Sequence, residues 1–147
     1  MSDDKFLTRE QRYAGVVYAR IKPLIPTEDA PRDEAKEKER KAYGSLAHKL
    51  PVLIRTAGLA QSLAFVYARN KESTPQRRLL ADLELVLQES GALAPGTALV
   101  ERSRSAEFEE YMRLTEGALE ALLWFKRFAQ SELKVDSGAD DKGGPDA

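Results

Sequence analysis

A chain of 147 residues is long enough to bury one core, and with 42% hydrophobic and 32% charged residues it reads as a globular domain with a heavily charged surface. It has no cysteine, which excludes a disulfide framework and a thiolate metal site, and it has no apolar run near the eighteen or so residues of a membrane span. The opening MSDDKFLTRE lacks the basic and apolar regions of a signal peptide, so the cytoplasm is the expected location.

Net charge is −1, unevenly spread. From Asp136 onward there are four acids and one base, and the preceding 135 residues carry 22 basic and 20 acidic groups. A body so close to neutral draws nucleic acid weakly through its long-range field, and any polyanion binding needs a local patch.

The first helix is predicted to open at Thr8, with Gln11 in the capping-box position. Tyr13, Ala14, Val17, Ile21 and Leu24 form its apolar stripe, Pro23 and Pro26 end it, and Arg9, Arg12, Arg20 and Lys22 lie off the stripe. From Glu28 to Lys41 acids and bases nearly balance, with Glu34–Lys38 and Glu37–Lys41 in the favourable i,i+4 order. This predicts an exposed helical start with Pro31 near the first turn. From Ala42 the pattern turns amphipathic through Tyr43, Leu46, Ala47 and Leu50.

The run Leu50 to Lys71 is the expected core element. Leu50, Leu53, Ile54, Ala57, Ala60, Ala64 and Ala68 recur at helical spacing on one side. Val52, Leu59, Leu63 and Val66 lie opposite, so the helix reads as apolar nearly all round and buried, its alanines allowing close approach of neighbours. Pro51 predicts a break or sharp kink at the start, and Gly58 a weak point inside.

Thr74 and Pro75 read as an N-cap and first helical residue, with Leu79, Leu80, Leu83, Val86 and Leu87 buried and Gly91 as the terminator. Ala92 to Ser103 is a connection with room for a short helical turn. A final helix is predicted from about Ser105 to Leu133, with Phe108, Tyr111, Met112, Thr115, Ala118, Leu119, Leu122, Phe125 and Ala129 as its stripe. Trp124 and Phe128 fall outside the stripe and imply cover on a second side. The last stretch, DSGADDKGGPDA, has no large apolar residue to repay the entropy of ordering. No alternating β-branched run predicts a strand. The expectation is an all-α, single-domain bundle of five or six mostly antiparallel helices over residues 1–135, with a disordered acidic tail over 136–147.

Chemistry has few candidates. The single histidine, His48, has no second imidazole, cysteine or Glu-x-x-His partner for a metal, and reads as a core-edge or surface residue. Glu107, Glu109, Glu110, Glu116 and Glu120 on the final helix fall largely on its wet face. Glycine-rich phosphate loops are absent. These features point away from an enzyme, with no catalytic residue, metal or cofactor implied.

KLPVLIRTAGLAQSLAFVYARNK resembles the central motif of the small helical subunit of the Cmr complex, the type III-B CRISPR RNA-guided effector. The similar features are Leu50–Pro51, Leu53–Ile54, Gly58–Leu59 and Lys71, joined by Tyr111 to Thr115 and Trp124 to Ala129, which are similar to the family's closing helix. The likeness covers roughly residues 8 to 133, and the acidic tail stands outside it. It implies a non-catalytic subunit that stacks in several copies along backbone subunits, forming a filament beside the groove where guide RNA and single-stranded target RNA pair. Other Cmr subunits, further copies of the chain and both RNAs are the implied partners, with no membrane.

A sequence-independent RNA groove needs cations along one surface, because the phosphates are what it recognises. By position the candidates are Arg9, Arg12, Lys41, Lys49, Arg55, Lys71, Lys126 and Arg127. Arg55, set amid LIRTAGL, is either an outward RNA contact or half of an ion pair with a neighbouring helix. Trp124 beside Lys126 and Arg127 is either a packed ring or a stacking feature. A helical adaptor that docks only to proteins is the competing reading.

Overall fold

The computed structural model describes residues 7–137, among which six α-helices and no strand occur. The expected tail, apart from Asp136 and Ser137, lies outside the described residues. The all-helical reading holds.

Helix α1 (Arg9–Ile21) opens on the expected capping box. The Thr8 hydroxyl accepts from the Gln11 N–H at 3.0 Å, and Gln11 Oε1 accepts from the Thr8 N–H at 2.8 Å. A 3-10 turn over Lys22–Leu24, holding Pro23, ends it. Helix α2 (Glu34–Ala57) starts later than the charge pattern implied, because Asp33 takes the N-cap, accepting from Ala35 and Lys36. Pro31 therefore lies ahead of the helix.

The expected break at Pro51 does not occur, and α2 runs through it to Ala57. An interior proline costs about 3 kcal/mol. Burial of Tyr43, Ala47, Leu50 and Ile54 on both sides of it outweighs that local penalty. The chain breaks instead at Gly58, whose φ of +90° only glycine adopts without strain. Helix α3 (Leu59–Arg69) then leaves in a new direction.

That break corrects the picture of one helix buried all round. α3 sinks Leu59, Ser62, Leu63 and Val66, whereas its Ala64 and Ala68 and, on α2, Val52 and Ala57 are exposed. Two amphipathic helices, rephased at Gly58, look apolar on every side when read as one. Gly58 has no side chain with which to cap α3. The Tyr111 hydroxyl, reaching from the last helix, accepts from the Ala60 N–H at 3.1 Å in its place.

Helix α4 (Pro75–Ser90) has Thr74 as N-cap, Pro75 first and Gly91 in the left-handed region, as expected. The connection after it holds α5 (Leu99–Ser105), whose first N–H donates to Glu84 Oε1 at 2.7 Å. Helix α6 (Phe108–Ser131) packs against α1, α2 and α4. Its buried face is rotated from the expected stripe. Leu114, Ala118, Ala121, Leu122, Phe125 and Ala129 are buried, while Phe108 (76% exposed) and Met112 project to solvent. At its start Phe108 and Met112 find no cover, whereas Tyr111 on the same stripe is half-buried against the core and reaches Ala60. Trp124 and Phe128 are half-buried, with the Tyr18 ring of α1 packed edge-on to Phe128 at 5.4 Å.

Two features lock the helices together. The Tyr43 hydroxyl of α2 donates to Asp82 Oδ2 of α4 at 2.5 Å, with Arg20 and Arg78 at 3.7 and 3.6 Å from the carboxylate. Beyond α6, Leu133 and Val135 turn back onto the body. The Val135 N–H donates to the Ala129 carbonyl, and its own carbonyl accepts from His48 Nε2, both at 2.8 Å. Gly44 admits this segment, since a Cβ there would lie 2.7 Å from Val135 Cβ.

Candidate nucleic-acid interface

The eight candidate cations separate into three groups. Arg9 and Arg12 reach a cleft of about 470 Å³ between α1, the C-terminal end of α4 and α6, where Arg113 joins them. Glu89 and Glu116 line the same cleft, and Arg9 pairs with Glu120 at 2.6 Å, so its charge is mixed. Lys126, half-buried, and Arg127, exposed, lie near the end of α6 and do not line it. Lys41, Lys49 and Arg55 project from α2, and Lys71 follows α3.

The third group stands apart electrostatically. Between Arg40 and Lys71 the chain has six cations (Arg40, Lys41, Lys49, Arg55, Arg69, Lys71) and no aspartate or glutamate. Other acid-free stretches are shorter and carry fewer cations, the longest being residues 11–27 with Arg12, Arg20 and Lys22. Arg55 is exposed, and among the described residues it forms no ion pair, nor do Lys41, Lys49 and Lys71. The reading of Arg55 as half of a helix–helix ion pair is thereby removed. Nearby, Arg102 and Glu110 bind each other with two hydrogen bonds, which hold the Glu110 carboxyl below its usual range.

Two aromatic rings on this segment are half out of the core. Phe65 and Tyr67, 45% and 43% exposed, flank the buried Val66. Arg69 lies over the Phe65 ring at 5.1 Å, and Arg77 over Tyr67 at 3.6 Å, its Nη2 donating to the Tyr67 carbonyl at 3.0 Å. Neither ring, nor Arg69 or Arg77, was among the candidates. The usable signal was the missing carboxylates from Arg40 to Lys71, together with large rings on either side of the residue that must be buried.

Burial places the remaining polar groups in structural roles. Burial raises the Asp82 carboxyl above its ordinary value, against the opposing pull of Tyr43, Arg78 and Arg20. Tyr43 is pushed well above the usual phenol value, first by burial and then by the Asp82 charge. Such shifts also mark active sites, but here both groups are consumed by one another and do not line the cleft. His48 spends Nε2 on the Val135 carbonyl, which can only accept, and its Nδ1 is sealed without a partner. Among the described residues no group of three acidic or imidazole side chains is placed to hold a metal.

Comparison with known proteins gives the family. Residues 9–132 match the family described as CRISPR-associated protein Cmr5. A curated relative, the CRISPR system Cmr subunit Cmr5 of Thermus thermophilus, is 41% identical over 127 residues, covering 86% of this chain and 97% of the relative. The X-ray crystal structure of a CRISPR-associated Cmr5 family protein, also from Thermus thermophilus, superposes with a TM-score of 0.66 at 37% identity, covering 86% of this chain and 98% of that one. The chain belongs to the Cmr5 family of CRISPR-associated proteins.

Proposed function

We propose that this chain is a non-catalytic, cytoplasmic subunit of a type III-B Cmr RNA-guided effector. Copies of it stack beside the backbone subunits and line the groove in which guide and target RNA pair. The observation that carries the RNA contact is the acid-free segment Arg40–Lys71, whose Lys41, Lys49, Arg55 and Lys71 have no carboxylate partner among the described residues. Free cations facing phosphates release counterions on binding, and the contact is then sequence-independent. One copy offers few such groups, so useful affinity arises when stacked copies present them together. Arg9, Arg12, Lys126 and Arg127 serve as secondary contacts.

Charge reversal of Arg55, Lys71 and Lys126 together tests this reading. Retention of target RNA by the purified complex falls while its subunit stoichiometry survives. A helical adaptor without RNA contact, favoured by the exposure of Phe108 and Met112, gives the opposite result: assembly fails or nothing changes.

A further inference from the structure

We infer that α3 is a base-stacking platform for single-stranded RNA, with Phe65 and Tyr67 each receiving one base. The inference rests on the RNA contact proposed above and adds how the bases, not only the phosphates, are engaged.

A residue two positions away on a helix lies some 200° round, so Phe65 and Tyr67 emerge on opposite flanks of α3. Between them the outward crest is Ala64 and Ala68, small enough to let a strand approach closely, with the exposed amide of Gln61 one turn before them. Each ring has a guanidinium against it, Arg69 on Phe65 and Arg77 on Tyr67, which fixes its orientation and supplies positive charge beside it. Arg55 and Lys71 lie near the two ends of the helix. A strand crossing the alanine crest sets one base on each flank and its phosphates among these cations. The segment itself contributes cations and no carboxylate, which favours a polyanion over an acidic protein partner of the same face. Base–aromatic stacking is tolerant of sequence, which suits a subunit that must accept any target.

The test uses the full chain at low salt with two probes, an unstructured oligoadenylate and inorganic polyphosphate of equal charge, which has no bases. Phe65→Ala and Tyr67→Ala each lower oligoadenylate affinity about tenfold and leave polyphosphate affinity and the salt slope unchanged. Tyr67→Phe retains binding. Arg55→Glu lowers affinity for both probes and flattens the salt slope. Equal losses on both probes overturn the inference, because the rings then merely position arginines. Unchanged oligoadenylate binding by the ring variants overturns it as well. An Arg55→Glu variant without effect on either probe sinks the underlying RNA contact, a separate failure. Circular dichroism confirms that each variant keeps its helices.

Discussion

Gly44→Ala should open the C-terminal segment. The added Cβ would sit 2.7, 2.9 and 3.0 Å from Val135 Cβ and its two Cγ atoms, closer than such atoms approach, so Val135 must leave. Val135 is buried, and exposing it forfeits about 1.5–3 kcal/mol, while the His48 bond to its carbonyl adds about 1 kcal/mol. Alanine in mid-helix returns about 1 kcal/mol relative to glycine. The net loss is about 1.5–3 kcal/mol, or a fall in Tm of roughly 3–12 °C at this chain length. Urea denaturation of a double-mutant cycle isolates the cause. In a Val135→Gly background the obstacle is gone, and Gly44→Ala should stabilise by about 1 kcal/mol. Equal effects in the two backgrounds would refute the argument, since the penalty would then come from somewhere other than Val135.

Tyr111→Phe removes the acceptor for the Ala60 N–H and should cost about 1 kcal/mol by denaturation, with amide exchange quickened at the start of α3. Tyr43→Phe, which strips the hydroxyl from a buried carboxylate, should cost about 1–3 kcal/mol at neutral pH. The folded-state value of Tyr43 is raised above the ordinary 10.0, so its contribution is complete below pH 10 and lost as pH climbs toward the raised value. Stability curves of wild type and Tyr43→Phe should therefore converge above pH 10, and parallel curves would contradict the linkage. The isolated chain should bind single-stranded RNA weakly, with a log–log salt slope of about −0.7 per phosphate engaged. Nanomolar binding by a monomer in about 150 mM salt would count against a requirement for stacked copies.

Caps and terminators were readable because they are local: Thr8 with Gln11, Thr74 with Pro75, and Gly91 each act through neighbours in sequence. Pro51 does not break the helix because its cost is local while its compensation is tertiary, supplied by helices that pack around Tyr43 and Ile54. Gly58 outranked it because a positive φ, unlike a missing donor, redirects the chain. The stripe of α6 was misphased at its start, since Phe108 has the right spacing but no neighbour to cover it. Of the candidate site, the cations of α2 and Lys71 came from their positions around the central motif. Phe65 and Tyr67 were absorbed into a helix believed buried, and Arg77 joins them only through a contact ten residues distant. The family resemblance supplied what no local rule could, namely membership of the Cmr5 family.

Amine-reactive footprinting of the assembled complex, with and without target RNA, tests the central claim most directly. Lys41, Lys49 and Lys71, in the acid-free segment, should lose reactivity when RNA is added, while Lys36 and Lys38, among the acids that open α2, keep theirs. RNA that binds while all three remain reactive, or that protects Lys36 and Lys38 in their place, would contradict the account.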